Sequence, residues 1–160
     1  MAKVFIVYYS STGNTEKMAE FVAEGARKSG AEVAVRKVQE AAIEDLEIAD
    51  AVILGSPTYY GHSAGKMRNF IDKSVVLHGR LEGKVGGAFS SSHNVGGGNE
   101  TAVRDLLDAL LVHGMIIQGA SNGDHYGPVS LGIPDRRVEN QCRQLGERVA
   151  RLAERTASEE

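Results

Sequence analysis

Tryptophan is absent from this 160-residue chain, cysteine occurs once and proline three times. No apolar run approaches the ~20 residues that a membrane-crossing helix requires. The lone Cys142 excludes an intrachain disulfide and suits a reducing, cytoplasmic setting. With only five histidines beside it, the chain shows no metal-ligand spacing, and no metal is expected. Charge of one sign is also scarce. A net charge of -3 and a pI near 6.0 give neither the basic surface of a nucleic-acid binder nor the strong acidity of a carrier that docks on basic partners. Met1-Ala2-Lys3 runs straight into an apolar segment, so a signal-peptide layout is not expected.

Several phosphate-handling motifs are missing too. There is no G-x-x-x-x-G-K-[ST], and no G-x-G-x-x-G after the first apolar run. A cysteine phosphatase would place its thiol in the first loop, far from position 142. A response regulator would end its first strand on an acidic pair, where this chain has Tyr8-Tyr9-Ser10.

What is present is a regular alternation of strand and helix patterns in one domain over 1–155, with 156–160 expected as a frayed tail. Val4-Phe5-Ile6-Val7-Tyr8 and Ala51-Val52-Ile53-Leu54-Gly55 read as buried strands. Glu32 to Val38 alternates apolar and polar residues, like an edge strand. Lys84 to Ser90 is a strand of small residues, and Met115 to Gly119 is the fifth strand. Helix patterns start at Glu16, run over Lys66–Lys73 and Glu100–His113, and close the chain over Asp135–Arg155. The pattern predicts an α/β, doubly wound, five-stranded parallel sheet of order 2-1-3-4-5, with its ligand crevice where the order reverses.

Three loops should meet there. The first is Ser10-Ser11-Thr12-Gly13-Asn14-Thr15, between the first strand and the first helix. Its hydroxyls and the free N–H groups of the helix start make a neutral cup for a phosphate, since no Lys or Arg lies between residues 4 and 16. The second contains Pro57, Thr58, Tyr59, Tyr60 and Gly61, and its aromatic rings could stack on a planar ring system. The third contains Ser91, Ser92, His93, Asn94, Gly96 and Gly97. Its glycines let backbone approach the carbonyls and ring nitrogens of a ligand. His93 is a candidate hydrogen-bond donor, and Tyr126 could reach the crevice from the fifth loop. His78 reads as a surface residue or a mouth residue, and His113 as a helix-dipole partner. Cys142 reads as core, and Arg136, Arg137, Arg143, Arg148 and Arg151 as a solvated helix face.

The first loop resembles the phosphate loop of flavodoxin-like proteins, which holds the terminal phosphate of FMN. Further segments resemble WrbA-type NAD(P)H:quinone oxidoreductases: Tyr8-Tyr9-Ser10 with Gly13, Ala23-Glu24-Gly25-Ala26, Ser56 to Gly61, Gly65 to Asp72, Gly83-Lys84, Phe89-Ser90-Ser91, Gly96 to Glu100, and His113-Gly114-Met115. The likeness extends from about residue 2 to 118. It implies FMN held by the three loops, hydride taken from NADH or NADPH, reduction of a quinone-like acceptor, and a homo-oligomer, either a dimer or a tetramer. The hydride chemistry then belongs to the flavin, and no side chain is singled out as acid, base or nucleophile. The chain departs from that family in its short segments between the second and third strands and after the fifth. Thr12 stands where the family has Tyr, and the family's Trp near His78 is missing. These features lean toward flavodoxin-like electron carriers. Carriers, however, usually stack the flavin with Trp and Tyr, and this chain has no Trp. A third reading is a flavin-binding regulatory module.

Overall fold

The computed structural model describes residues 1–158. Its parallel sheet contains β1 (Lys3–Tyr8), β2 (Glu32–Lys37), β3 (Ala51–Tyr59) and β5 (Val85–Ser92), with neighbours in the order β2-β1-β3-β5. Two short strands share the fifth position. β6 (Ile116–Ile117) pairs with Val85–Gly86, and β7 (Val129–Leu131) pairs with Ser90–Ser92. The expected order therefore holds, with its last strand broken by residues 118–128. That segment is pinned by its own bonds, Ala120 N–H to the His125 carbonyl at 3.0 Å and His125 Nδ1 to the Ala120 carbonyl at 2.7 Å. Gly127 lies so close to the Ala88 carbonyl that a Cβ there would overlap it. A further small strand, β4 (His62–Ser63), folds back antiparallel on the end of β3.

The continuous apolar runs of β1 and β3 are explained by two-sided burial. Val4, Ile6, Tyr8, Ala51 and Ile53 face α1 (Asn14–Lys28) and α5 (Arg136–Ala157). Phe5, Val7, Val52 and Leu54 face α2 (Asp45–Ile48), α3 (Gly65–Lys73) and α4 (Asn99–Val112). β2 sits at the edge and is only half buried, as its alternation implied. The Asp135 carboxylate accepts from Val138 N–H at 2.9 Å and so caps α5. α5 carries on through Thr156 and Ala157, two residues of the expected tail, and residues 159–160 of that tail lie outside the described residues.

α1 and α5 form the most extensive helix pair. They cross at two glycines. A Cβ on Gly146 would lie 2.7 Å from the Ala26 nitrogen, and one on Gly25 would lie 2.7 Å from Arg143 Cα. In each case the facing carbonyl oxygen, of Val22 or Arg143, is closer still. Because β1 leads to α1 on one face while β3 and β5 lead to α3 and α4 on the other, the chain divides between β1 and β3. In an open α/β sheet this is where a crevice forms at the carboxyl ends of the strands.

Candidate functional site

The first loop leaves β1 with Tyr9 N–H still bonded to the Gly55 carbonyl at 3.0 Å. Gly13, at φ 97°, turns the chain into α1. The Ser10 hydroxyl accepts from Gly13 N–H at 3.1 Å and Glu16 N–H at 3.3 Å. It therefore shapes the loop as well as lining it. Among the described residues, the amides of Ser11, Thr12, Asn14 and Thr15 have no acceptor. Orphan donors at a helix start are what an anionic oxygen cluster requires. Ser11 and Thr12 are exposed, whereas Thr15 is buried and its hydroxyl lies 2.9 Å from the Ser91 hydroxyl. Asn14 and Thr15 belong to the first turn of α1 rather than to the loop. Beside the cup, Tyr8 OH donates to the Glu16 carboxylate at 3.0 Å. Burial first, and then Glu16, pushes the Tyr8 phenol up to about 12.

The second loop is a hairpin. Pro57, Thr58 and Tyr59 continue β3, and a two-residue turn at Tyr60 and Gly61 leads into β4. Both turn residues have positive φ, 48° and 81°, and Tyr60 is the one non-glycine with positive φ among the described residues. A two-residue turn with both centres left-handed matches the twist of the strands it joins, so the geometry follows from the hairpin itself. The Tyr60 side chain is fully exposed and that of Tyr59 partly so.

The third loop follows β5, which includes Ser91 and Ser92. Ser91 is buried behind the first loop, through its contact with Thr15. His93, Asn94, Gly96 and Gly97 are exposed. The loop is closed by Gly97 N–H to the Asn94 carbonyl at 3.0 Å and by Asn99 Nδ2 to the Ser92 hydroxyl at 3.0 Å. Gly98, at φ 95°, enters α4 as Gly13 enters α1.

All three loops therefore border one edge of the sheet. Two hydroxyl pairs tie the elements that carry them together, the buried Thr15 of α1 with Ser91 of β5, and the half-buried Thr58 of β3 with Ser90 of β5 at 3.0 Å. The remaining candidates lie elsewhere. Tyr126 is in the segment that divides the fifth strand, with the Arg104 guanidinium 5.2 Å from its ring centre. His113 terminates α4, and its Nε2 is 2.8 Å from the Ser74 hydroxyl. That hydroxyl gives its one proton to the Ile71 carbonyl, so His113 must donate from Nε2 and carry a bare Nδ1. Burial, then the neighbouring His78, holds its pKa below the ordinary histidine value. The shift weakens the expected role as a helix-dipole partner, because it disfavours the charged imidazolium that would interact with the dipole. Cys142 is core, and burial pushes its thiol far up. Arg148 departs from the solvated face, since its Nε is buried without a partner.

Sequence reasoning missed Ser63, Thr101 and Asp105. Thr101 and Asp105 stand four apart on α4, on a stripe beside its buried apolar face, and nothing in their spacing singles them out.

A doubly wound α/β domain, with unpaired amides in a cation-free loop and an exposed aromatic at its switch point, defines a class of small ligand-binding domains. Residues 5–111 match the family model described as flavodoxin domain, and the chain belongs to that family. An Archaeoglobus fulgidus protein named NAD(P)H dehydrogenase (quinone) is 37% identical over 189 residues, covering 97% of this chain and 99% of the relative. An Aquifex aeolicus protein named flavodoxin is 44% identical over 159 residues, covering 94% of this chain and 86% of the relative. Among solved structures, a flavodoxin described as WrbA-like from Agrobacterium tumefaciens superposes with a TM-score of 0.83 at 28% identity, covering 98% of this chain and 99% of that one.

Proposed function

We propose that this chain is an FMN-dependent NAD(P)H:quinone oxidoreductase. The observation that carries the reading is the set of unpaired amides at Ser11, Thr12, Asn14 and Thr15, in a loop without a cation, beside an exposed aromatic turn. That arrangement suits a phosphorylated ligand with a planar ring better than a free anion, for which a basic side chain would serve. Ser10 to Thr15 would hold the FMN phosphate, with Ser10 shaping the loop and the four amides donating. Pro57 to Gly61 would flank the ring on one side, and Ser91 to Gly97 would offer backbone N–H groups to its polar edge. When bound, the flavin supplies the hydride-accepting chemistry between NADH or NADPH and a quinone-like acceptor. The protein's own work is then binding, orientation and exclusion of water. Relatives bearing the name NAD(P)H dehydrogenase (quinone) support the enzymatic half of the reading.

The second reading is an FMN electron carrier. It is favoured by the Aquifex flavodoxin, which aligns to this chain with less inserted sequence than the Archaeoglobus relative. Anaerobic titration of the FMN-loaded protein with NADH and NADPH, with and without benzoquinone, separates the two. Turnover of nicotinamide that depends on benzoquinone supports the enzyme, and its absence in a flavin-loaded protein supports the carrier. We further propose a homo-oligomer in the cytoplasm, a dimer or a tetramer, because a crevice with a fully exposed Tyr60 lacks a cover of its own. Sedimentation at micromolar protein, with and without FMN, tests this, and a single monomeric species in both would refute it.

A further inference from the structure

We infer that Thr101 and Asp105 on α4 are positioning residues that clamp the Tyr60 turn in the conformation that receives a flavin ring. The inference rests on the flavin-binding reading above and adds residues that the three-loop pattern does not contain.

Tyr60 occupies a left-handed conformation, φ 48°, that non-glycine residues adopt rarely. Its side chain is fully exposed, so no packing of the ring compensates. The two-residue hairpin calls for this conformation, and bonds from outside the turn hold it further. Asp105 Oδ2 accepts from Ser63 N–H at 3.1 Å and from the Ser63 hydroxyl at 2.5 Å. Its Oδ1 accepts from Arg68 Nη1 at 2.9 Å, so one mostly buried carboxylate joins β4, α3 and α4. One turn earlier, the Thr101 hydroxyl lies 2.6 Å from the Gly61 carbonyl and 2.8 Å from the Gly98 carbonyl. Its single proton is shared between the second and third loops.

The two loops also touch directly. A Cβ on Gly98 would lie 2.7 Å from Gly61 Cα. The turn that carries the aromatic thus has its far side fixed by α4, the helix whose own start is the third loop. A ring arriving between these loops meets a conformation already ordered and does not have to order it on binding. None of these bonds reaches the phosphate cup. Loosening the clamp should therefore weaken the hold on the ring and leave the hold on the phosphate unchanged.

The test uses Thr101→Val, which keeps the shape and removes the proton donor, with Asp105→Ala and Asp105→Asn. Dissociation constants for FMN and riboflavin are measured by flavin fluorescence, together with the visible circular dichroism of the bound flavin. Amide exchange of His62 and Ser63 is followed in flavin-free protein. Thr101→Val and Asp105→Ala are expected to weaken both flavins by the same factor, about threefold to tenfold, as for one lost hydrogen bond. They should also alter the flavin dichroism and speed the exchange of both amides. Asp105→Asn retains an acceptor for Ser63 and is expected to recover most of the loss. Equal flavin affinities in wild type and Thr101→Val overturn the inference, as does a loss confined to FMN. Unchanged amide exchange overturns it whether or not flavin binds. Failure of the wild type to bind either flavin overturns the cofactor reading instead, and the exchange data still judge the clamp. Should Asp105→Ala not fold, Thr101→Val decides.

Discussion

Gly146→Ala sets two physical effects of opposite sign against each other. In the interior of an isolated helix, Ala is better than Gly by about 1 kcal/mol. On propensity alone the substitution in α5 should stabilise the protein. The structure predicts the reverse. A Cβ at Gly146 would lie 2.7 Å from the Ala26 nitrogen, and nearer to the Val22 carbonyl oxygen, both of them backbone atoms of α1 that cannot rotate away. The two helices must separate by roughly an ångström to reach ordinary contact, and neighbouring buried residues such as Met18, Leu145 and Val149 then lose packing. Overpacking of this kind costs about 1–3 kcal/mol and can cost more where backbone is the obstacle. We therefore expect a net loss of about 2 kcal/mol after the propensity gain. For a domain of this length that is a fall in melting temperature of roughly 4–8 °C. Thermal and urea unfolding followed by circular dichroism read it directly. Gly25→Ala, whose Cβ would meet the Arg143 backbone, should behave alike. The double variant should lose less than the sum, because helices already forced apart admit the second methyl with less strain. A melting temperature equal to or above wild type for Gly146→Ala would refute the close-crossing argument.

Thr12→Ala should weaken FMN binding by about 1.5–3 kcal/mol, the worth of a charge-assisted hydrogen bond, and leave riboflavin unaffected, measured by fluorescence titration of both ligands. Thr15→Val strands the buried Ser91 hydroxyl and should lower stability by about 1–3 kcal/mol in urea unfolding; an unchanged midpoint would contradict the pairing. His113 has its pKa held below the ordinary value of 6.5 by burial and by His78, so below that pH the unfolded chain binds more protons than the native one. Stability should accordingly fall as pH drops below 6.5, and His113→Gln should flatten that slope between pH 7.5 and about 5.5; equal slopes would exclude His113 as the source. Cys142, fully buried with its thiol pushed up, should resist a thiol reagent in the native protein and react fully in denaturant; rapid labelling under native conditions would show that α5 opens.

The form of the first loop was legible because its signal is local. A strand, a hydroxyl-rich turn and a helix start occupy adjacent residues, and the unpaired amides of Ser11, Thr12, Asn14 and Thr15 fall at that helix start. The hairpin at Tyr60 was less legible. Tyr60-Gly61 is not among the usual turn pairs, and the segment after Gly55 reads as loop until β5 and β4 are seen to pair with it. The broken fifth strand was hidden for a similar reason. Met115 to Gly119 has strand composition, yet pairing at that position is divided between Ile116–Ile117 and Val129–Leu131, a choice made by contacts with β5. His113 was misread because a histidine at a helix end is ordinarily solvated. Its lowered pKa follows from burial and from His78, which only the folded chain brings beside it.

The amino-acid sequence by itself determined the doubly wound class, the strand order and the composition of the three loops. These follow from the periods of apolar residues and from turn chemistry, which act over a few neighbours. Only the tertiary structure decided which hydroxyls remain free and which are already paired, and how α4 grips the Tyr60 turn through Thr101 and Asp105. It alone revealed why α1 and α5 need glycines where they cross. Those outcomes depend on pairs such as Thr15 with Ser91, 76 positions apart, which meet only once the sheet has assembled.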